Sequence, residues 1–224
     1  MAYSPIDNSH WYAMTYNGSF YHSTDYGNSW EISLGFSGPE SHYFYGSSIY
    51  PSNQTLGKVL IGGSGYSNNP VYITYNHGQN FENFSQGLPN TMVFKIDGTL
   101  TDQVIFAATE LGPYAYTDEQ GEWINIMGLS APDQTYWSLE YVPEIHTARF
   151  GTYGRGIWDF IINENKNINI QRSAMSMLDV LTRSKHHHIL YESFEKRSPF
   201  RKNLPTIAHG RQKHMALSFV RQQF

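Results

Sequence analysis

Six carboxylates stand in predicted loops or at predicted strand ends, where acid–base chemistry is most easily arranged: Asp97, Asp102, Glu110, Asp133, Glu140 and Glu144. Two opposed carboxyl groups, roughly 5–10 Å apart, can work as general acid and as base or nucleophile. The spacing of these six acids selects no pair, so Glu110 and Asp133 are only weak catalytic candidates. For most of the six, the simpler interpretation is a solvated surface group.

Three residues are candidate ligand contacts: Glu110, Tyr114 and Arg155. Glu110 directly follows a predicted strand and precedes a Gly-Pro pair, and the simpler interpretation is a hydrogen-bonded turn acid. Arg155 lies between two glycines in GTYGRGIW. Glycine lets backbones approach closely, so we favour a structural guanidinium contact to a carbonyl or carboxylate over a contact to substrate.

A second acid-bearing pattern, STDYGNSW at residues 23–30, recurs along the chain. It returns as TYNHGQNF at residues 74–81 and, in degraded form, as YTDEQGEW at residues 116–123. An Asp or Asn oxygen can close a tight turn by accepting backbone N–H groups, and Gly supplies the positive φ. Because Asn76 replaces the acid, the pattern predicts a turn that fastens strands and not a catalytic carboxylate. The predicted turn residues are Ser23, Asp25, Gly27, Trp30, Thr74, Asn76, Gly78, Phe81, Asp118, Gly121 and Trp123.

Charge and aromatic content divide the chain near residue 162. Residues 1–162 carry 4 Lys+Arg and 15 Asp+Glu, a net charge of −11, whereas residues 163–224 carry 11 and 4, a net charge of +7. We expect a folded domain over 1–162 and a basic, largely disordered tail over 163–224, with one short helix at residues 173–184 at most. The tail lacks the regular aromatic interleaving of a single-strand binder, so no specific nucleic-acid binding is expected.

No cofactor, metal site or membrane span is predicted. The chain has no Cys, and the adjacent histidines at 186–188 do not easily converge on one ion. Its first residues lack the basic and apolar regions of a signal peptide.

Short β-branched or aromatic runs separated by polar and Gly-rich turns predict an all-β fold. The runs form pairs, such as KVLIGG followed by VYITYN and TARFGTY followed by GIWDFII. We interpret each pair as the two inner strands of one sheet, with the acid-bearing turn leaving the second strand. Helical periodicity is absent through residue 162.

The repeated S-x-D-x-G-x-x-W pattern resembles the Asp-box (BNR) repeat of sialidase-like β-propellers. Its copies are 51 and 42 residues apart, close to the length of a four-stranded propeller blade. ATELGPYAYTD and FGTYGRGIWDF are similar to the closing blades of large exported bacterial propellers of the sortilin and xyloglucanase types. The resemblance implies a partial β-propeller of about four blades, a C-terminal piece of a longer extracellular or cell-surface protein, with Glu110 near the propeller axis; a closed four-bladed ring is the alternative.

The resemblance leaves several functions open. Sialidase activity needs an arginine triad, and residues 1–162 contain only Arg149 and Arg155. We expect a non-catalytic binding module for a polysaccharide or a protein, completed by the remaining blades of its parent. A fragment of a polysaccharide-acting glycoside hydrolase is the main alternative, and a scaffold for complex assembly is a third.

Overall fold

Four antiparallel sheets follow one another along the chain. The structure, a computed structural model, describes residues 1–15, 18–36, 48–129 and 131–162. Sheet 1 contains β1 (Ala2–Tyr3), β2 (Trp11–Met14), β3 (Phe20–Ser23) and β4 (Glu31–Ile32). Sheet 2 contains β5 (Ser48–Pro51), β6 (Val59–Gly62), β7 (Val71–Thr74) and β8 (Glu82–Asn83).

Sheets 3 and 4 repeat the same up-and-down order. Sheet 3 contains β9 (Val93–Gly98), β10 (Ile105–Thr109), β11 (Gly112–Tyr116) and β12 (Trp123–Asn125). Sheet 4 contains β13 (Tyr136–Val142), β14 (Thr147–Thr152) and β15 (Ile157–Ile161), with a 3-10 turn at Pro143–Ile145. Successive antiparallel meanders, here three of four strands and one of three described strands, are the blades of a β-propeller. The predicted all-β partial propeller of about four blades is therefore confirmed.

The first strand of each sheet lies innermost. β1 contacts β5, β5 contacts β9 and β9 contacts β13, so these strands form a continuous inner row. The paired runs that the sequence identified are the second and third strands of each sheet, which are the two middle strands of the four-stranded sheets, as predicted. The true first strands escaped notice because β1 and β5 are short and rich in small or polar residues. The acid-bearing turns accordingly connect the third strand to the fourth.

Apolar side chains fill the spaces between neighbouring sheets. One cluster, between sheets 2 and 3, contains Tyr50, Leu60, Val71, Ile73, Val93, Ile96, Ile105, Ala107, Tyr114 and Trp123. A second, between sheets 1 and 2, contains Tyr12, Phe20, Phe36, Val59 and Ile61. Full burial of a Val, Leu, Ile or Phe side chain contributes ~1.5–3 kcal/mol, so the seams between sheets hold the array together.

Two of the acids that the sequence offered for catalysis are hydrogen-bond acceptors at these seams. Asp97 on β9 accepts the backbone N–H of Tyr141 on β13 at 2.8 Å. Asp102, in the loop after β9, accepts the Tyr50 hydroxyl at 2.7 Å and also bonds to Ser52 from sheet 2. Each carboxylate thus joins one sheet to the next.

All the described residues lie in one compact unit, Met1–Ile168. The predicted helix at 173–184, the tail and the histidines at 186–188 fall outside the described residues. Within the described part of the chain, no helix is long and apolar enough to cross a membrane.

Candidate functional site

The meander order gives every sheet two ends with different loops. One end, here the hinge end, carries the loops between first and second strands and the turns between third and fourth strands. The other, the Glu110 end, carries the loops between second and third strands and the connections between sheets. The repeated acid-bearing turns lie at the hinge end, whereas Glu110 and Arg155 lie at the Glu110 end.

In the first repeated turn, Ser23 and Asp25 bond to the backbone around them. The Ser23 hydroxyl donates to Asp25 Oδ1 at 2.7 Å and accepts the Gly27 N–H at 2.9 Å. Asp25 also accepts the Ser29 N–H at 2.8 Å and the Ser29 hydroxyl at 2.6 Å. The Ser29 bonds and the other bonds of this turn lower the pKa of Asp25 to about 2. The carboxylate is therefore committed to the turn and is a poor proton donor or acceptor near neutral pH.

The second turn has the same geometry without the charge. Thr74 donates to Asn76 Oδ1 at 2.9 Å and accepts the Gly78 N–H at 2.9 Å, and Asn76 Oδ1 accepts the Asn80 N–H at 3.1 Å. In both turns, two successive residues have a positive φ: Tyr26 and Gly27, then His77 and Gly78.

The third turn is built differently. Its closing bonds run from the N–H groups of Gln120 and Gly121 to the carbonyl of Thr117, and the Thr117 hydroxyl accepts the Gln120 N–H at 3.3 Å. Thr117 stands one position later than Ser23 does in the first repeat, which explains why Gly121 is also displaced by one position. Asp118 is exposed beside this turn.

The burial of the aromatic residue after each turn depends on whether a preceding sheet packs against it. Phe81 contacts the rings of Phe20 and Phe36 from sheet 1. Trp123 is 2% exposed and donates its indole N–H to the carbonyl of Phe84 in the preceding sheet at 2.7 Å. Trp30, in the first sheet, is only half-buried and bonds to its own turn at the carbonyl of Gly27.

Glu110 occupies the tight turn between β10 and β11 and bonds to the neighbouring sheet. Its carboxylate accepts the hydroxyl of Tyr66, from the β6–β7 loop, at 2.5 Å, and this bond raises the pKa of Tyr66. The backbone N–H of Glu110 donates to the carbonyl of Met92, directly before β9, at 3.0 Å. Tyr114 is 7% exposed within the apolar core, so its burial argues against a ligand contact.

Arg155 and Asp133 are exposed at the Glu110 end. Arg155 lies in the β14–β15 turn, where its N–H and carbonyl bond to Thr152 and Trp158. Gly154 and Gly156 have φ of +83° and +79°, and an added Cβ at either would meet no atom within 4 Å. The glycines therefore serve the turn's conformation and not close packing. Asp133 precedes β13, next to Gln134, whose side-chain nitrogen is buried without a hydrogen-bond partner among the described residues.

Three aromatic rings from sheets 3 and 4 meet near these residues. Phe94 and Trp137 have ring centroids 4.3 Å apart, and Trp137 and Tyr153 are 6.1 Å apart. Trp137 is 49% exposed and Tyr153 is 74% exposed. Phe94 shares the end of sheet 3 with Glu110, because the neighbouring Val93 pairs with Thr109. We call Phe94, Trp137, Tyr153, Glu110 and Tyr66 the aromatic surface.

Sequence reasoning missed a cluster of histidines at the hinge end. His10, His22 and His77 stack with ring centroids 4.4–5.0 Å apart. Burial and the two neighbouring histidines lower the pKa of His22 to about 4, and burial with His10 lowers the pKa of His77. The three residues lie at positions 10, 22 and 77, so no short sequence motif indicates the cluster. The alignment of the repeats is the one sequence signal, because it places residues 22 and 77 close to equivalent strand ends.

The chain resembles solved structures in fold. A GH74 enzyme from Niastella koreensis matches with a TM-score of 0.56 and 17% identity, over 71% of this chain and 26% of that one. A GH74 xyloglucanase from Xanthomonas campestris matches with a TM-score of 0.57 and 14% identity, over 71% and 28%. The extracellular domain of a hybrid two-component system from B. thetaiotaomicron matches with a TM-score of 0.50 and 18% identity, over 72% and 20%.

These similarities concern architecture alone, since all identities are low. The chain spans about a quarter of the length of these structural relatives. No protein-family model and no curated protein matches the sequence. Taken together, the four sheets and the structural relatives show a piece of a β-propeller.

Proposed function

We propose that this chain is a carbohydrate-binding propeller module of an extracellular protein, and that the aromatic surface is its binding face. The observation that carries the proposal is the exposed pair Trp137 and Tyr153 beside Phe94. Aromatic faces are large apolar surfaces with a polar rim, suited to the C–H faces of sugar rings. The repeated acid-bearing turns, interpreted as Asp-boxes, are scaffold in this proposal.

Polar groups around the rings supply what a sugar hydroxyl needs. Glu110 and Asp133 can accept hydrogen bonds, and Arg155 can donate them. A few polar groups around an apolar platform are the usual composition of a small-molecule site.

Affinity electrophoresis with soluble polysaccharides tests the proposal. Xyloglucan is the first probe, because one structural relative is a xyloglucanase, and dextran is the comparison polymer. We expect retardation by xyloglucan, and a loss of at least tenfold in affinity for Trp137→Ala or Tyr153→Ala. The matched control is Tyr75→Ala, since Tyr75 is 55% exposed but lies at the hinge end. If Trp137→Ala leaves the retardation by xyloglucan unchanged, the aromatic surface is not the binding face.

Hydrolysis is the second candidate, favoured by the short bond between Tyr66 and Glu110. A Tyr hydroxyl 2.5 Å from a carboxylate at an exposed edge is an arrangement that can hold or pass a proton. If the chain releases reducing ends from xyloglucan and Glu110→Gln abolishes this release, the chain is a fragment of an enzyme and not a binding module. Binding without release keeps the non-catalytic proposal.

A further inference from the structure

We propose that His10, His22 and His77 form a binding site for a divalent cation of the Zn²⁺ class at the seam between sheets 1 and 2. The candidate ligand nitrogens all lie within 4.8 Å of one another. His10 comes from the β1–β2 loop, His22 from β3 and His77 from the turn after β7. The ion would therefore join two blades through one centre.

The donor set suits a borderline metal ion. Neutral imidazole is a common ligand of Zn²⁺, Cu²⁺ and Ni²⁺, whereas Ca²⁺ and Mg²⁺ prefer oxygen. Three histidines with an open fourth position are a known zinc arrangement. All three side chains are half-buried, so an ion can reach them from solvent while the rings stay confined.

The three rings must shift and turn to hold an ion, because their planes lie within 25° of parallel and an ion lies in the plane of each imidazole that binds it. His10 Nδ1 and His22 Nε2 are 2.8 Å apart and share a hydrogen bond. Tetrahedral coordination with Zn–N of about 2.0–2.1 Å places ligand nitrogens roughly 3.3 Å apart. Opening the pair by about half an ångström, turning the rings and keeping each ring hydrogen on the nitrogen that faces away makes room for the ion.

Two neighbouring groups stand where the outer partners of a metal site would. Asp7 Oδ2 lies 3.9 Å from His10 Nε2, beyond hydrogen-bond distance, and has to move closer to orient that ring. The Tyr12 hydroxyl is 2.9 Å from His77 Nδ1. Gly57 lies against the His77 ring, where an added Cβ would approach Nε2 to 2.9 Å. Carboxylate and hydroxyl partners of this kind orient ligating histidines.

Zinc titration of the full chain tests the site, once a competitor is removed. The adjacent histidines at 186–188 offer additional imidazole groups to the titrant, so the background protein carries H186Q, H187Q and H188Q. After stripping with a chelator, calorimetry with Zn²⁺ is expected to show one ion per chain. With Zn²⁺ at 100 times Kd, we expect Tm to rise by about 5–10 °C. Co²⁺ in place of Zn²⁺ is expected to give the strong visible absorption of a four-coordinate site.

Substitutions of the ligating histidines distinguish this site from non-specific metal binding. His77→Gln and His22→Gln are each expected to weaken binding by about 100-fold or more, since loss of an outer partner alone costs ~10–100-fold. Asp7→Asn should fall in that smaller range. His146→Gln, an exposed histidine in the same unit, is the control and should bind as the background does.

Two results overturn the proposal. One is the absence of Zn²⁺ binding by the background protein, which would make the cluster a purely structural stack. The other is binding that His77→Gln and His22→Gln both leave unchanged. If either variant fails to fold, X-ray absorption of the Co²⁺-loaded background decides the question, since fewer than three imidazole ligands would contradict the assignment.

Discussion

At the scale of single residues, the acids divide by what surrounds them. Asp25 and Asp102 are engaged by hydroxyl and backbone donors, and Asp97 is held by the Tyr141 N–H at a seam. Glu110 pairs with the phenol of Tyr66 from another sheet at an exposed edge, whereas the phenol of Tyr50 that donates to Asp102 is buried. Sequence alone ranked Glu110 above the other acids, but it could not show Tyr66, which lies 44 positions away along the chain. Such a partner is set by the packing of two sheets.

Asp25 should make stability depend on pH at the acidic end. Its pKa in the fold is about 2 against 3.8 in the unfolded chain, so the unfolded state binds its proton first as pH falls. Its contribution to stability is present above about pH 3.8 and is lost as pH falls towards 2. We expect Asp25→Asn to flatten acid unfolding in this window, as followed by circular dichroism. Asn76→Asp, the reciprocal change, should steepen it; an unchanged slope for both would contradict the shared role.

Asp97 should respond in the opposite sense. Burial raises the pKa of Asp97, so the folded state binds its proton first and stability falls as pH rises through that raised value. The two carboxylate oxygens accept the N–H groups of Tyr141 and Gly98, and Asp97→Asn keeps one of these acceptors while removing the charge, so we expect a smaller loss of Tm at pH 7 than for Asp97→Ala. Asp97→Ala leaves both N–H groups without these acceptors and should cost about 1–3 kcal/mol. Urea unfolding measures both; equal losses for Asn and Ala would contradict this account.

At the scale of elements, alternation and turn residues were enough to predict the middle strands. β6 and β10 are rich in Val, Ile and Phe, and their turns carry Gly and Asx residues. The first strands of the sheets were harder to predict, because β5 has the sequence SIYP and β1 has only two residues. Their strand state comes from pairing with a neighbour and not from propensity. The third turn shows the limit of a pattern: Asp118 occupies the motif position, while Thr117 closes the turn.

Gly78 and Gly154 show two different reasons for glycine in a turn, namely a positive φ with a neighbouring ring too close for a Cβ, and a positive φ alone. Both have positive φ, +89° and +83°, but an added Cβ at Gly78 would lie 2.4 Å from the Phe20 ring, whereas Gly154 faces open space. Gly154→Ala should cost about 1–2 kcal/mol of backbone strain. Gly78→Ala adds overpacking and should cost about 2–5 kcal/mol in total. Chemical unfolding of both variants measures the difference, and equal costs would show that the ring moves aside freely.

At the scale of the whole molecule, sheets 2 and 3 are each fastened to the sheet before them by an aromatic residue that follows a turn. Phe81 reaches sheet 1 and Trp123 reaches sheet 2. The sequence predicted the array from the repeat, but the histidine cluster and the aromatic surface arise between sheets, where residues distant in sequence meet.

Trp123 and Trp30 occupy the same place in their repeats but not the same surroundings. Trp123→Ala removes a ring buried between sheets 2 and 3 and should cost about 3–5 kcal/mol. Trp30 is half-buried on its own turn, so Trp30→Ala should cost less than half as much. Urea midpoints of the two variants test this. Equal midpoints would mean that the seam contributes little beyond the local turn.

The uneven burial of the five tryptophans also gives the molecule a built-in optical probe. Trp123 is buried against Phe84 and Tyr116, while Trp137 is 49% exposed and Trp11, Trp30 and Trp158 are intermediate. The bluest part of the emission spectrum should therefore come from Trp123. If sheets 2 and 3 separate before the strands melt, that part will shift to longer wavelength while far-ultraviolet ellipticity holds, so fluorescence can report the parting of two blades by itself.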